Sequence, residues 1–237
     1  MPLYTITLIK KELVASNTMA FYFKKPEGFS YVAGQYGDFT LINPPETDKE
    51  GDKRTFSFAS APHEPVLTIT TRLRDTAFKR VLRSLPEGSE VQLEGPFGSL
   101  ALPKNTAKTA VFLTGGIGAT LVRSIVSQAI HDHAPHTMIF FYSNHTKEDT
   151  VFFEEFTALA KTHENFLFIP LMTDEASGWT GERGEINRAM LEKYVPDIAD
   201  SIYYLSGPSA MIGTMRKLLL DAHVDRTNIR ADQFIGY

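Results

Sequence analysis

The chain of 237 residues has no cysteine. That absence excludes a disulfide framework, a thiolate zinc site and a cysteine-ligated iron–sulfur cluster on this chain. Long hydrophobic runs are missing as well. The stretch "TMIFFY" is bounded by His136 and Asn144, far short of the ~20 apolar residues that a membrane helix needs. Excess positive charge is also lacking. The formal net charge is −4, so a general nucleic-acid role has no electrostatic support. In the N-terminal "MPLYTITLIKKELV" charge arrives too early for the apolar core of a signal peptide. These absences predict a soluble, cytoplasmic protein without a membrane span. What is present is ordinary for a globular chain with a real core: 43% of residues are hydrophobic and 22% charged. The length suits one large domain or two small ones.

Two halves follow different patterns. The first contains short runs rich in β-branched and aromatic residues: "LYTITLIKKELV", "TMAFYFKK", "QYGDFTLIN", "RTFSFAS", "PVLTITTRL" and "SEVQLEGP". Turn signals such as "KPEGFS" and "LPEGS" separate them, which predicts an antiparallel six-stranded barrel. One helix interrupts the strands. In "DTAFKRVLRSL", Phe78, Val81, Leu82 and Leu85 fall on one side, with Asp75 or Thr76 as the N-cap. The second half alternates strands ("TAVFLT", "TMIFFYS", "NFLFIPLMT", "SIYYLSG") with helices, which predicts an α/β domain with a parallel sheet covered on both faces. The polar loop from Ala101 to Lys108 divides the halves, giving domains 1–103 and 104–237. Ligands of open parallel sheets bind at the carboxyl ends of the strands. The loops "TGGIG", "YSNH", "MTDEASGW" and "LSGPS" are therefore expected on one rim.

Several stretches carry chemistry. In "KRTFSFAS", strand alternation puts Arg54 on the face of Phe56 and Phe58. A guanidinium there needs an anion, because an unpaired buried charge is costly. No acid inside the strand supplies one; a cross-strand acid such as Glu94 or a bound ligand can. "TGGIGAT", Thr114 to Thr120, is a glycine-rich strand-to-helix turn of the kind that brings phosphate to backbone N–H groups; its bland reading is a plain tight turn. The full dinucleotide fingerprint is not met, since Leu121 stands where the third glycine belongs and "YSNH" where an acid would end the second strand. "LSGPSAM" is a second small-residue turn, equally readable as a helix start with Pro208 in the first turn. Arg72, Arg74, Lys79 and Arg80 gather at the helix start after the fifth strand. They read as a solvated basic face, or in part as a dock for an acidic protein partner. His131, His133, His136, His145 and His163 lack metal-ligand spacing, so no metal site is expected, and His131, His133 and His136, in a polar loop, read as surface. Phe152, Phe153 and Phe156 read as core, and the loop from Pro44 to Lys53 as disorder-prone.

In this order, these pieces resemble the ferredoxin–NADP reductase family of flavoproteins over nearly the whole chain. Arg54-Thr55-Phe56-Ser57 resembles the family's Arg-x-Tyr-Ser flavin motif. "AGQYGDF" and "EGPFG" match further landmarks, and "TGGIGATLVRSI" resembles its pyridine-nucleotide loop. "YYLSGPSAM" resembles its Cys-Gly-Pro segment, and "IRADQFIGY" its aromatic tail. The resemblance implies a flavin-binding barrel, a nucleotide-binding α/β domain, and a flavin in the interdomain cleft, FAD rather than FMN. Arg54 would pair with the flavin pyrophosphate. Phe56 would lie against the ring, and Ser57 would bond near the atom that exchanges hydride. Thr70, Thr71 and Arg72 would run along the flavin, and Thr76, Ala77 and Phe78 would hold phosphate. Thr114, Gly115, Gly116, Ile117 and Gly118 would cradle the nicotinamide nucleotide. Ser143, Asn144 and His145 would stand at its adenosine side, and Ser206, Gly207 and Pro208 near the nicotinamide. Tyr237, with Phe234 second, would cover the flavin at rest.

Departures from the family pattern are Phe56 for Tyr, Ser206 for Cys, Thr120 for Pro, Asp232 for Glu and His145 for Arg. The last leaves NADPH and NADH both open. The expected function is that of a flavin-dependent NAD(P)H oxidoreductase. Its acceptor would be on a separate chain: ferredoxin, flavodoxin, a haem protein or an oxygenase component. A free-flavin or quinone reductase is the alternative, and a binding module without turnover a third reading.

Overall fold

A computed structural model of the chain describes residues 2–174 and 178–233. Its first sheet contains β1 (Leu3–Ala15), β2 (Thr18–Lys24), β3 (Tyr36–Leu41), β4 (Lys53–Ser57), β5 (Val66–Arg72) and β6 (Glu90–Phe97), with helix α1 (Ala77–Ser84) between the last two. The order is β4-β3-β6-β1-β2-β5, with antiparallel pairing throughout. The two ends of this order meet just after β4, where the Ala59 N–H donates to the Thr68 carbonyl at 2.8 Å. The sheet so forms the expected barrel. β1 serves two neighbours: Leu3–Thr7 pair with β6, and a register break between Leu8 and Lys10 turns the rest onto β2. An irregularity of that kind bends a strand around a barrel corner.

Side chains alternate along these strands, so Phe21 and Phe23 on β2, Phe39 on β3 and Leu67 and Ile69 on β5 all point inward and are fully buried. Each is worth roughly 1.5–3 kcal/mol in burial. Helix α1 plugs the barrel as its periodicity predicts, with Phe78, Val81 and Leu82 inside. Of the two candidate caps it uses Thr76, whose hydroxyl accepts from the Lys79 N–H at 3.4 Å.

The second sheet is built from β7 (Ala110–Gly115), β8 (Met138–Asn144), β9 (Phe166–Met172), β10 (Glu182–Arg183), β11 (Ile202–Gly207) and β12 (Ile229–Gln233). It is parallel, in the order β10-β9-β8-β7-β11-β12. Helices α2 (Ala119–His131), α3 (Phe153–Thr162), α4 (Arg188–Tyr194) and α5 (Ser209–Asp221) cover it. Alternation again sorts the strands. Phe112, Phe140, Tyr142 and Tyr204 pack with Leu121, Ile125 and Phe156 on one face, and Val111, Ile139, Phe141 and Tyr203 with Leu191, Ile212 and Met215 on the other. Four strands are predicted from hydrophobic runs; the structure adds two at the edges. β10 is two charged residues long, and "IRADQ" of β12 has no apolar run. Both owe their conformation to pairing with a neighbour, which composition does not encode. Chain order reverses direction between β7 and β11, and such a switch point opens a crevice at the carboxyl ends of the strands.

The two sheets are joined by a polar seam. Arg123 on α2 donates to the Ala59 carbonyl at 2.8 Å and to Glu64 at 3.0 Å on the barrel side, and to Glu155 on α3 at 2.9 Å. The Ser124 hydroxyl donates to the Ser60 carbonyl at 2.7 Å. His136 corrects the surface expectation: it is buried, and its Nε2 donates to the Pro103 carbonyl at 2.8 Å. Its ring ties the connecting segment to the second domain. Among the described residues no helix is long and apolar enough to cross a membrane.

Candidate functional site

The seam leaves a cleft of about 310 Å³ open on one side. Arg54, Phe56, Ser57, Thr70, Arg72 and Lys79 line its barrel wall; Ile117 and Thr120 line the wall from the second domain.

Arg54 finds its anion, and it is neither Glu94 nor anything across the sheet. Glu94 pairs with Lys53 instead, at 2.9 Å. Arg54 turns into the loop before β4, donating to the carbonyls of Glu50 at 2.9 Å and Lys53 at 2.8 Å, to Glu50 Oε2 at 3.0 Å and to Asp48 Oδ1 at 3.3 Å. The loop read as disorder-prone is therefore pinned, the more so because Glu46 holds Arg80. The other oxygen of Asp48 accepts the Ala77 N–H at the start of α1, at 3.0 Å. Backbone N–H bonds from Glu50 and Ala77, with Arg54 beside them, keep this carboxyl below its ordinary range. A guanidinium and a helix N-terminus thus converge on one oxyanion position, and a carboxylate of the chain itself sits in it. The acids of "PPETDKEGDK" directly precede Arg54 in sequence; that proximity was the available signal for the pairing.

Around this position the predicted residues take different places. Phe78 is fully buried in the barrel, and its ring lies under the Arg54 guanidinium at 5.2 Å. Phe56 is 8% exposed and packs between Phe39 and Phe78. The Ser57 and Thr70 hydroxyls are buried with no hydrogen-bond partner among the described residues. Native chains leave few buried polar groups unpaired, so each calls for an explanation. Thr71 is buried beside them. Thr55 also lines the cleft, and its hydroxyl donates to Asp38. Lys79 contradicts the solvated-face expectation. It is half-buried in the cleft and donates to the Arg72 carbonyl at 2.9 Å. Arg80, next to it, does face solvent.

On the opposite wall, Gly116–Gly118 form a single 3-10 turn that runs into α2. A Cβ on Gly118 would lie 2.4 Å from the Ser206 carbonyl oxygen, so only glycine lets this turn press against the end of β11. Thr114 and Ser206 are register partners on β7 and β11, and both hydroxyls are buried without a partner among the described residues. Thr120, which replaces the family's proline, closes its hydroxyl onto the Ile117 carbonyl at 3.0 Å. Arg72 of the barrel reaches the turn: its guanidinium is the nearest group, 3.7 Å from a Cβ placed on Gly116. Gly207 and Pro208 lead from β11 into α5 on the same rim, and Gly115 and Ser143 pair at the ends of β7 and β8. Asn144 is buried with its amide unpartnered among the described residues, while His145 Nδ1 lies 3.2 Å from the Thr173 hydroxyl. Three of the expected rim loops so meet at one end of the sheet, and the described part of the fourth joins them where Thr173 bonds Asn144. Phe234 and Tyr237 lie outside the described residues.

Comparison with known proteins agrees with this arrangement. Residues 112–217 match the oxidoreductase NAD-binding domain family. The chain is 30% identical over 215 residues to the F component of the Na(+)-translocating NADH-quinone reductase of Klebsiella pneumoniae, covering 84% of this chain and 53% of the relative. It is 34% identical over 159 residues to the same component from Methylococcus capsulatus, covering 65% and 39%. The chain spans about half or less of the length of these curated relatives. Among solved structures, a cytochrome P450 reductase of Amycolatopsis shares the fold with a TM-score of 0.84 at 23% identity, covering 98% of this chain and 70% of that one. A ferredoxin NADP+ reductase of Neisseria gonorrhoeae, solved with bound FAD and NADP, superposes with a TM-score of 0.79 at 20% identity, covering 97% and 98%. With a barrel and a parallel α/β domain in this order, and an oxidoreductase NAD-binding domain over residues 112–217, the chain has the two-domain fold of the ferredoxin–NADP reductase-like oxidoreductases.

Proposed function

We propose that this chain binds FAD in the interdomain cleft, takes hydride from NADH or NADPH, and passes electrons to an acceptor on a separate chain. The observation that carries the reading is the pair of unpartnered hydroxyls, Ser57 and Thr70, beside an oxyanion position made by Arg54 and the Ala77 N–H. Those groups fit a ligand with a hydrogen-bonding ring and a phosphate. A bound flavin supplies the conversion of a two-electron hydride into single electrons, which no side chain here can perform.

The chain's own residues bind and orient. Arg54 and Ala77 hold phosphate oxygens in place of the Asp48 carboxylate, with the Phe78 ring backing the guanidinium. Ser57 and Thr70 give hydrogen bonds to the polar side of the ring system, and Phe56, fixed by Phe39 and Phe78, offers an apolar wall. Across the cleft the Gly116–Gly118 turn, with Thr114 and Gly115, admits the phosphates of the nicotinamide nucleotide close to backbone N–H groups. Ser143, Asn144 and His145 lie beyond it for the adenosine half. Ser206, Gly207 and Pro208 take the nicotinamide end, with Ser206 as a small hydroxyl facing the place of transfer. Positioning of this kind is the protein's share of the rate.

The name of the relatives favours a quinone as acceptor, as an alternative to a redox protein such as ferredoxin, flavodoxin or a haem or oxygenase component. The test begins with the reconstituted protein. A bound-flavin visible spectrum that bleaches on anaerobic addition of NADH or NADPH is expected. Absence of bound flavin overturns the proposal, and flavin that neither nucleotide bleaches leaves a binding module without turnover. Turnover assays with ferredoxin, quinone and free flavin then separate the acceptors.

A further inference from the structure

Lys79 has a place that the site described so far does not use. It sits in the first turn of α1, where the helix dipole disfavours a cation. Its four-carbon stem could carry the ammonium to open water, as long charged side chains commonly do. Instead it folds back into the cleft, donating to the Arg72 carbonyl at 2.9 Å, its one hydrogen-bond partner among the described residues. The charges around it come from three directions: Arg54 on β4, Arg72 at the end of β5, and Arg74 in the loop before α1. Among the described residues the acid that acts on it is Glu50, which is already bonded to Arg54. Of the cations that line the cleft, Lys53 is held by Asp38 and Glu94 and Arg54 by Asp48 and Glu50, whereas the Lys79 ammonium has a backbone carbonyl and no carboxylate as its hydrogen-bond partner among the described residues. Gathering like charges in a half-buried place is unfavourable unless an anion joins them.

We propose that Lys79 is a phosphate-binding residue of this cleft, a second cationic anchor beside Arg54 for the diphosphate of FAD. The inference rests on the flavin reading above and adds to it the charge that selects a diphosphate-bearing flavin over a neutral one. Two observations besides the charges support it. The Asp48 carboxylate shows an oxyanion position on the same helix start, with Arg54 and Ala77 as donors. The unpartnered Ser57 and Thr70 hydroxyls belong to residues on the same wall, so ring and phosphate groups fall within one cleft.

A pH dependence follows. Burial first, then Arg74, Arg54 and Arg72, bring the Lys79 amine down to about 8. Guanidinium groups stay charged throughout this range. A phosphate beside the amine raises its pKa, so binding takes up a proton above pH 8. Affinity for FAD is then level below pH 8 and falls about tenfold by pH 9. Riboflavin, which has no phosphate, does not follow this course.

The experiment measures FAD and riboflavin affinity by fluorescence titration on the flavin-free full chain. Lys79→Gln is expected to weaken FAD about tenfold or more at pH 7 and to leave riboflavin within about twofold. Lys79→Arg is expected to keep FAD affinity and to abolish its fall between pH 7 and 9. The wild-type pH profile tests the idea even if a variant folds poorly. A flat wild-type ratio of FAD to riboflavin affinity, an unchanged FAD affinity in Lys79→Gln, or equal loss of both ligands overturns the assignment. A wild type that binds neither flavin overturns the flavin reading beneath it, a separate failure.

Discussion

Arg54 is held by carboxylates that belong to the same chain, and a phosphate must compete with them. This makes opposite predictions for two neighbouring residues. Arg54→Ala removes a charge-assisted donor worth about 1.5–3 kcal/mol, so FAD affinity should fall roughly ten- to a hundredfold. The fold should change little, because the loop still keeps the Glu46–Arg80 pair and the Asp48–Ala77 bond. Calorimetric titration and a thermal melt read the two effects; undiminished flavin binding would make Arg54 a loop anchor only. Asp48→Asn weakens the competitor without removing its bulk, and FAD should bind a few-fold tighter. A weaker complex would mean that Asp48 contacts the ligand itself. At this scale the site is unevenly legible in the sequence. Alternation and the cost of a buried charge are local, and they show that Arg54 needs an anion. The path of the preceding loop decides which carboxylate arrives, and that path is not written in the strand. Lys79 escapes the sequence for a similar reason: spacing alone does not say that its stem turns back to the Arg72 carbonyl.

Elements carry the site through their ends. α1 brings its first turn, β7 and β11 their carboxyl ends, and a three-residue turn closes the gap between barrel and sheet. Gly118 is the tightest of these joints. Gly118→Ala would set a methyl group 2.4 Å from the Ser206 carbonyl, and the displacement that relieves it costs about 1–3 kcal/mol. FAD content should stay at the wild-type level while KM for the nicotinamide nucleotide rises about tenfold or more. Stopped-flow reduction shows this, and loss of flavin in the same variant would count against separate binding walls. The strands with strong apolar alternation were legible in sequence, as were the helices with a clean stripe. β10 and β12 were not, because an edge strand of polar residues is stabilised by the ladder it joins.

At the scale of the molecule, the two domains that wall the cleft are clamped together through Arg123, one helical turn beyond Thr120 of the cleft wall. Arg123 joins three elements through the Ala59 carbonyl, Glu64 and Glu155, with Phe152 packed over its guanidinium. Arg123→Ala leaves two partly buried carboxylates without their cation, and removal of one partner from such a cluster costs roughly 3 kcal/mol. The expected result is a lower denaturation midpoint together with weaker binding of both cofactor and nucleotide, since both walls lose their relative placement. A midpoint shift with binding unchanged would show that other contacts suffice to hold the domains.

The order of strands and helices, the barrel-then-sheet architecture, the family resemblance and the small-residue turns follow from the sequence by itself. Each is written in periodicities and motifs a few residues long, and burial of alternate side chains forces the outcome. The tertiary structure decided what those periods do not contain. It chose Asp48 and Glu50 as the partners of Arg54, buried His136, added the edge strands and turned Lys79 into the cleft. For His136, the edge strands and Lys79 the deciding contact joins different elements, and for Arg54 the path of the preceding loop decides it; only the folded chain brings these groups within hydrogen-bond distance.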